Sequence, residues 1–180
     1  MIKRQIYKSS YLPILQGLGN HTVLALIALI VIGGATRVME AGLACPDWPL
    51  CYGSFLPLKH MNIRVFLEWF HRLHAFILGI LILSKFILSL IWSKEIPNWV
   101  PKIYSLLVFL VLVQGSLGAL TVINLLNSYT VSGHLLIAFL LLILTISINQ
   151  NLENKEIEDP LIGWKLLMCA PLILTLIQSF

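Results

Sequence analysis

The sequence predicts an all-α membrane protein, an up-down bundle of four transmembrane helices followed by a truncated fifth helix. Hydrophobic residues make up 58% of the 180 residues and charged residues only 11%. The mean hydropathy is +0.91, and a soluble domain of this size could not bury so much apolar surface. The charged residues fall between long apolar runs, as expected for helices that span a bilayer.

Five apolar runs define the predicted spans. The first four are long enough, or nearly so, for the roughly 20 residues that a helix needs to cross the hydrocarbon of a bilayer. The fifth run is shorter and has no polar anchor after it, so only the start of a helix is expected there. The runs cover residues 22–38, 66–92, 103–126, 131–149 and 166–180.

The charges between the spans predict their orientation. Lys and Arg residues of the N-terminal segment and of the second and fourth connections lie on one side, which the positive-inside rule assigns to the cytoplasm. The net charge of +4 comes without a basic run of the kind that binds nucleic acid, so membrane lipid is an expected partner and nucleic acid is not. The predicted segments are a cytoplasmic N-terminus (1–20), a four-helix half (21–150), a cytoplasmic loop (151–165) and a helix start (166–180).

Two cysteines lie in the predicted outer loop between the first two spans. Cys45 and Cys51 would be in an oxidising compartment, where a disulfide is expected. A plain stabilising bridge and a redox role are equally compatible with this spacing. Cys169, in the fifth run, is expected to be a small core residue.

Ionisable residues at the start of the second run form the main candidate site. Glu68, His71 and His74 are spaced three residues apart, so a helix would present them on one broad face. Ionisable groups within a span are costly and usually face the interior of the bundle, which makes them functional candidates. Glu68 would suit proton transfer, although a simple ion pair with Arg72 is equally compatible.

A second histidine is predicted at the same depth. His71 and His134 each lie about four or five residues below the outer end of an even-numbered span, or roughly 6–8 Å. Their imidazoles could therefore face each other and hold a heme iron from both sides. Arg37 and Arg72 could bind the heme propionates through their forked donors. The alternative is that each histidine only packs between helices, and spacing does not distinguish His71 from His74 as the ligand.

Small residues predict close contacts between helices. Gly33 and Gly34 lie in the first span, and Gly115 and Gly118 lie in the third. Glycine allows helix backbones to approach closely in a membrane. The alternative is that these positions reflect only the higher glycine usage of membrane helices.

Five segments together resemble the heme A synthase family, multi-span enzymes of oxidase assembly in bacteria and mitochondria. The run Cys-Pro-Asp-Trp-Pro-Leu-Cys in the outer loop is the most specific of them. Residues 39–42, Met-Glu-Ala-Gly, depart from the Thr-Gly-Ser-Gly-like run that is usual in the family. The resembling segments are 33–37, 41–53, 68–72, 114–122 and 134–135.

The resemblance implies an activity and a set of site residues. Members of the family convert heme O to heme A, oxidising a ring methyl group to a formyl group by successive hydroxylations. By resemblance, His71 and His134 would be the heme ligands and Glu68 the carboxyl involved in the chemistry. Cys45 and Cys51 would be the outer-loop pair. A bacterial plasma membrane is the implied location.

The resemblance also implies cofactors and partners. Most members have two pseudo-symmetric four-helix halves, and the second half carries another histidine pair and a heme b. This chain matches the first half, so turnover is expected to require the remaining half or a second copy. Heme O is the expected substrate, heme A the product, and heme O synthase a further expected partner.

Two other functions could be carried out by residues already named. A membrane b-type cytochrome would carry electrons on a heme held by the same two histidines, without substrate chemistry. A transmembrane disulfide oxidoreductase would use Cys45 and Cys51, although such proteins usually have more closely spaced thiols.

Overall fold

The computed structural model describes residues 10–153, which form four long α-helices. Each helix is long and apolar enough to cross a membrane, which confirms the predicted all-α membrane bundle. The predicted fifth helix and Cys169 lie outside the described residues. The helices are α1 (Leu12–Val38), α2 (Ile63–Ile91), α3 (Trp99–Ile123) and α4 (Ser128–Glu153), and a short 3-10 turn (Leu58–His60) precedes α2.

The four helices pack in chain order around a square. The packed pairs are α1 with α2, α2 with α3, α3 with α4, and α4 with α1. Helices α2 and α4 therefore occupy diagonal corners. The long connection 39–62 covers one end of the bundle, which we call the loop end. The short connection between α3 and α4 lies at the same end, since Gly42 lies beside Leu126.

Helix α1 begins at Leu12, ten residues before the predicted apolar run at residue 22. A proline in the first turn favours this start, because its fixed φ suits a helix and its missing N–H is not needed there. Leu15 is completely buried, and Tyr11 stacks on Trp92 with ring centroids 4.5 Å apart. Packing against the bundle thus stabilises a turn whose polar composition predicted a loop.

The ends of the other helices also differ from the apolar runs. Helix α2 begins three residues earlier than predicted, because the Asn62 side chain caps it by accepting the N–H groups of Arg64 and Val65 at 3.0 and 3.1 Å. Helix α3 ends at Ile123, and Leu125 and Leu126 follow with positive φ values of 49° and 60°. Hydropathy cannot detect either feature, because both depend on backbone hydrogen bonding and conformation.

The hydrophobic core occupies the half of the bundle that lies away from the loop end. No residue of α4 between positions 128 and 140 is fully buried, whereas four residues between 141 and 152 belong to the core. Packing is therefore looser beneath the loop. The core residues are Leu15, Leu26, Leu78, Ile82, Ile96, Val100, Tyr104, Leu107, Leu110, Leu141, Leu144, Ile148 and Leu152.

Two polar contacts lie within the well-packed half. The ammonium group of Lys85 lies 5.3 Å from the centroid of the Tyr104 ring, a distance suited to a cation–π interaction. The amide of Asn149 on α4 donates a hydrogen bond to the side-chain oxygen of Asn20 on α1. These contacts tie the helices together at the end opposite the loop.

Candidate functional site

His71 lies in the looser half of the bundle, against helix α1. It is the ninth residue of α2, and its ring rests on Gly33 of α1: a Cβ built on this glycine would lie 3.0 Å from Cε1 of the imidazole. The Leu29 carbonyl lies next to the ring. No hydrogen bond is completed, so the buried Nδ1 atom has no partner among the described residues.

His134 lies against helix α3 in a matching way. It is the seventh residue of α4, and a Cβ on Gly118 would lie 3.2 Å from its Cε1 atom. The Nδ1 atom is 3.2 Å from the Gln114 carbonyl oxygen. Since a carbonyl can only accept, Nδ1 carries the proton and Nε2 has a free lone pair. The side-chain amide of Gln114 lies 3.3 Å from that Nε2 atom.

The two histidines occupy diagonal helices at similar depth. At about 1.5 Å per residue, they lie roughly 9–12 Å from the starts of α2 and α4, somewhat deeper than the spans had predicted. The structure therefore places the two histidines that the sequence singled out on diagonal helices at similar depth.

Glu68 and Arg72 form a nearly buried ion pair that holds the outer loop. Oε1 of Glu68 accepts a hydrogen bond of 2.5 Å from Arg72, and Oε2 accepts the Cys45 N–H at 2.8 Å. The same guanidinium donates to the carbonyl oxygens of Asp47 and Leu50, each at 2.6 Å. Three backbone groups of the loop are thereby fixed to one turn of α2, next to His71.

The outer loop is closed by a disulfide between Cys45 and Cys51. Within the ring, the carboxylate of Asp47 accepts the backbone N–H groups of Tyr52 and Gly53 at 2.6 and 2.8 Å. Both of these residues have positive φ values, 53° and 68°. The carboxylate thus stabilises the tight turn that follows the bridge, and the loop is held both covalently and by hydrogen bonds.

Aromatic contacts complete the loop. The Tyr52 ring stacks on His60 at 4.1 Å, and the indole Nε1 of Trp69 donates to the Phe55 carbonyl at 2.6 Å. The loop is therefore attached to α2 through Trp69 as well as through the ion pair. Its tertiary contacts make it a fixed part of the bundle end.

The remaining predicted residues have fewer contacts. Arg37 is exposed near the end of α1, and its guanidinium forms no hydrogen bond or ion pair within residues 10–153. His74 lies one turn deeper than His71 and meets the edge of the Phe70 ring at 6.0 Å. It has no glycine facing it from a neighbouring helix.

Only one glycine of each predicted pair makes a close contact. Gly33 and Gly118 face histidines, whereas a Cβ on Gly34 or Gly115 would meet nothing within 4 Å. The prediction of close packing is therefore wrong for Gly34 and Gly115, because both face away from the neighbouring helices.

The sequence did not identify Gln114 as a site residue. A single polar amide in the otherwise apolar third span was the signal available. Its contact with His134 depends on how α3 and α4 face each other, which the spacing of residues along one helix does not reveal.

Comparison with known proteins places these features in a family. The family model described as "Cytochrome oxidase assembly protein" (COX15-CtaA) matches residues 18–180. The chain belongs to this family. It is similar to the heme A synthase of Shewanella oneidensis, 34% identical over 67% of this chain and 40% of the relative. It is likewise 32% identical to the heme A synthase of Bacillus pumilus, over 77% of this chain and 47% of the relative.

The family assignment confirms the resemblance noted in the sequence. The chain spans less than half the length of these two relatives. A shorter match, 32% identical, covers 41% of the chain and 15% of a protoheme IX farnesyltransferase of Haloarcula marismortui. No solved structure matches the chain.

Proposed function

We propose that this cytochrome oxidase assembly protein acts in heme A biosynthesis and that residues 21–150 form a substrate-binding half for heme O. The observation that carries this proposal is the placement of His71 and His134 on diagonal helices, at similar depth, beneath the loop. The matched relatives are named heme A synthases, which supports the same chemistry.

The surroundings of the histidines fit a heme better than a bare metal ion. Within residues 10–153, no group of three or more His, Cys, Asp or Glu side chains could hold a metal ion. Two imidazoles therefore need a ligand that brings its own equatorial donors, as a porphyrin does. The unfilled hydrogen-bonding capacity of His71 Nδ1 and Gln114 Oε1 and the loose packing of α4 below the loop are consistent with a large planar ligand.

The two histidines would hold the heme through their Nε2 atoms. The Gln114 carbonyl already keeps the proton of His134 on Nδ1, which leaves Nε2 free to coordinate iron. The Gln114 side chain must turn away from Nε2 when the ligand binds. His71 is preferred over His74 because its ring rests on the backbone of α1 at Gly33.

Arg37 and Arg72 would both bind the heme propionates, but Arg37 would make the larger contribution to that binding. Arg37 is exposed at the loop end, and its guanidinium has no hydrogen-bond or ion-pair partner among residues 10–153. Arg72 already donates to Glu68 and to loop carbonyls, so its main contribution would be to position the loop above the ligand.

Glu68 would provide the carboxyl group of the reaction. Both of its oxygens accept hydrogen bonds in the structure. Proton transfer to or from a substrate would require one of these bonds to be exchanged. Movement of the loop at Cys45 would release Oε2 for that purpose.

The proposed reaction oxidises the heme O ring methyl group to a formyl group by successive hydroxylations, in which water supplies the oxygen atom and four electrons and four protons are released. The electrons removed need an acceptor, and we assign that role to a heme b in the remaining half of the protein or in a second copy. The partial similarity to a protoheme IX farnesyltransferase supports a farnesylated heme as the substrate and its synthase as a partner. An oxidoreductase of this kind would have the disulfide loop on the outer face of the bacterial plasma membrane.

Identification of the bound pigment tests the proposal. Purified protein, expressed in a host that makes heme O, should contain heme O or its oxidation products with a low-spin bis-histidine spectrum. His71→Ala and His134→Ala should each abolish this spectrum, whereas the matched control His74→Ala should retain it. Exclusive binding of heme b would favour an electron carrier, and retention of pigment without His71 and His134 would overturn the ligand assignment.

A further inference from the structure

We infer that Gly33 and Gly118 are positioning residues that set the orientation of the two histidine rings. The absence of a side chain at each glycine lets an imidazole rest directly on the backbone of the neighbouring helix. This inference rests on the proposed function, because it concerns the histidines assigned as heme ligands.

The two glycines make similar contacts, each with the imidazole ring of a histidine on the next helix. From a Cβ built on Gly33, the nearest His71 atoms are Cε1 at 3.0 Å, Nδ1 at 3.5 Å and Nε2 at 3.8 Å. From a Cβ on Gly118, the nearest His134 atoms are Cε1 at 3.2 Å and Nδ1 at 3.7 Å. Cε1 is therefore the nearest atom of each ring to its glycine, and an added methyl group would press on that atom in both histidines.

The two glycines also occupy equivalent positions in the bundle. Gly33 lies five residues before the end of α1 at Val38, and Gly118 lies five residues before the end of α3 at Ile123. Each faces the helix that follows it in the chain. The two helix pairs α1–α2 and α3–α4 thus present a histidine in the same manner from opposite sides of the bundle.

A backbone carbonyl of the same helix as each glycine lies near the imidazole that the glycine contacts. The Leu29 carbonyl lies beside His71, and the Gln114 carbonyl lies 3.2 Å from Nδ1 of His134. In both cases the carbonyl belongs to the residue four positions before the glycine. A helical side chain covers the turn N-terminal to its own Cα, so any residue other than glycine would shield this carbonyl from the imidazole.

The consequence is a defined ring orientation. At His134, Nδ1 faces the Gln114 carbonyl at 3.2 Å, and the proton on Nδ1 leaves Nε2 as the nitrogen that can coordinate iron. At His71, contact with the α1 backbone at Gly33 sets the position of the ring. The hydrogen bond to the carbonyl is complete at His134 and incomplete at His71, so iron coordination by His71 is expected to draw its Nδ1 onto the Leu29 carbonyl.

Alanine substitutions test the inference, and the chain supplies matched controls. Gly33→Ala and Gly118→Ala should weaken heme binding about five- to 150-fold, the range expected when a methyl group overpacks a fitted site. They should also alter the low-spin electron paramagnetic resonance signal, which reports the orientation of the axial rings. Gly34→Ala and Gly115→Ala should change neither property, because nothing lies within 4 Å of their added Cβ atoms.

A double-mutant cycle without heme separates ring displacement from general damage to the helices. Gly33→Ala should lower the thermal unfolding midpoint of the apoprotein, but it should have little effect in a His71→Ala background, where no ring is displaced. The same relation is expected for Gly118 with His134. Equal effects in both backgrounds, or an unchanged resonance signal in Gly33→Ala and Gly118→Ala, would overturn the inference. Loss of the histidine-dependent spectrum from the unmutated protein would instead contradict the proposed function.

Discussion

The Glu68 carboxylate and the Arg72 guanidinium form an ion pair of 2.5 Å, and both side chains also hold the backbone of the disulfide loop. One turn of α2 thus carries a heme-ligand candidate and the anchor of the loop above it. The position of the loop is coupled to that of His71 through this single turn.

Substitution of Glu68 should release the loop. Glu68→Gln leaves the Arg72 charge without its partner, and breaking a buried ion pair in this way costs about 3–5 kcal/mol. The variant should unfold at lower temperature, and its disulfide should be reduced faster by dithiothreitol. Glu40→Gln is the matched control, because the Glu40–Arg64 pair is 3.8 Å long and exposed and should contribute little. Identical reduction rates in Glu68→Gln and the unmutated protein would argue against the coupling.

Removal of the disulfide should cost stability and leave heme binding intact. Closing so short a ring stabilises the folded state by about 2 kcal/mol in the chain-entropy model. The Cys45→Ser, Cys51→Ser variant should therefore have a lower unfolding midpoint but a normal pigment content, since the Arg72 and Asp47 contacts still hold the loop. A requirement for the thiols in heme A formation, with heme binding preserved, would show that the bridge has a redox role.

Gln114→Leu should preserve heme binding. The substitution keeps the backbone carbonyl that accepts from His134 and removes the amide that lies 3.3 Å from Nε2. It also removes a buried side-chain oxygen without a hydrogen-bond partner, a group that costs about 1–3 kcal/mol. Heme titration should show unchanged or tighter binding. A loss of about tenfold in affinity would mean that the side chain itself contributes to the site.

Gly19→Ala should destabilise the bundle at the end opposite the loop. An added Cβ would overlap the side-chain oxygen of Asn149, whose amide binds Asn20. Overpacking of this kind typically costs about 1–3 kcal/mol, which a thermal unfolding curve in detergent would detect. Gly17→Ala is the control: nothing lies within 4 Å of its Cβ, and alanine favours the helix by up to about 1 kcal/mol. Equal midpoints for the two variants would contradict the predicted overlap.

The sequence was informative about the class of fold because hydropathy is a property of each segment by itself. The four spans and the family could be predicted from composition and motifs, whereas the pairing of His71 with His134 at a heme stays a prediction. The helix ends were less predictable. The start of α1 depends on Leu15 and Tyr11 packing against other helices, and the start of α2 depends on a cap from Asn62.

The sequence alone determined that residues 10–153 form four membrane-spanning helices and which ionisable residues lie near one end of them. Only the tertiary structure decided what those residues touch. It paired Glu68 with Arg72, and it turned Gly33 but not Gly34 towards a histidine. The physical reason is that rotation and depth of one helix against another are set by side-chain packing between them. That packing depends on residues that are far apart in the chain, so it cannot be predicted from the spacing of residues within one helix.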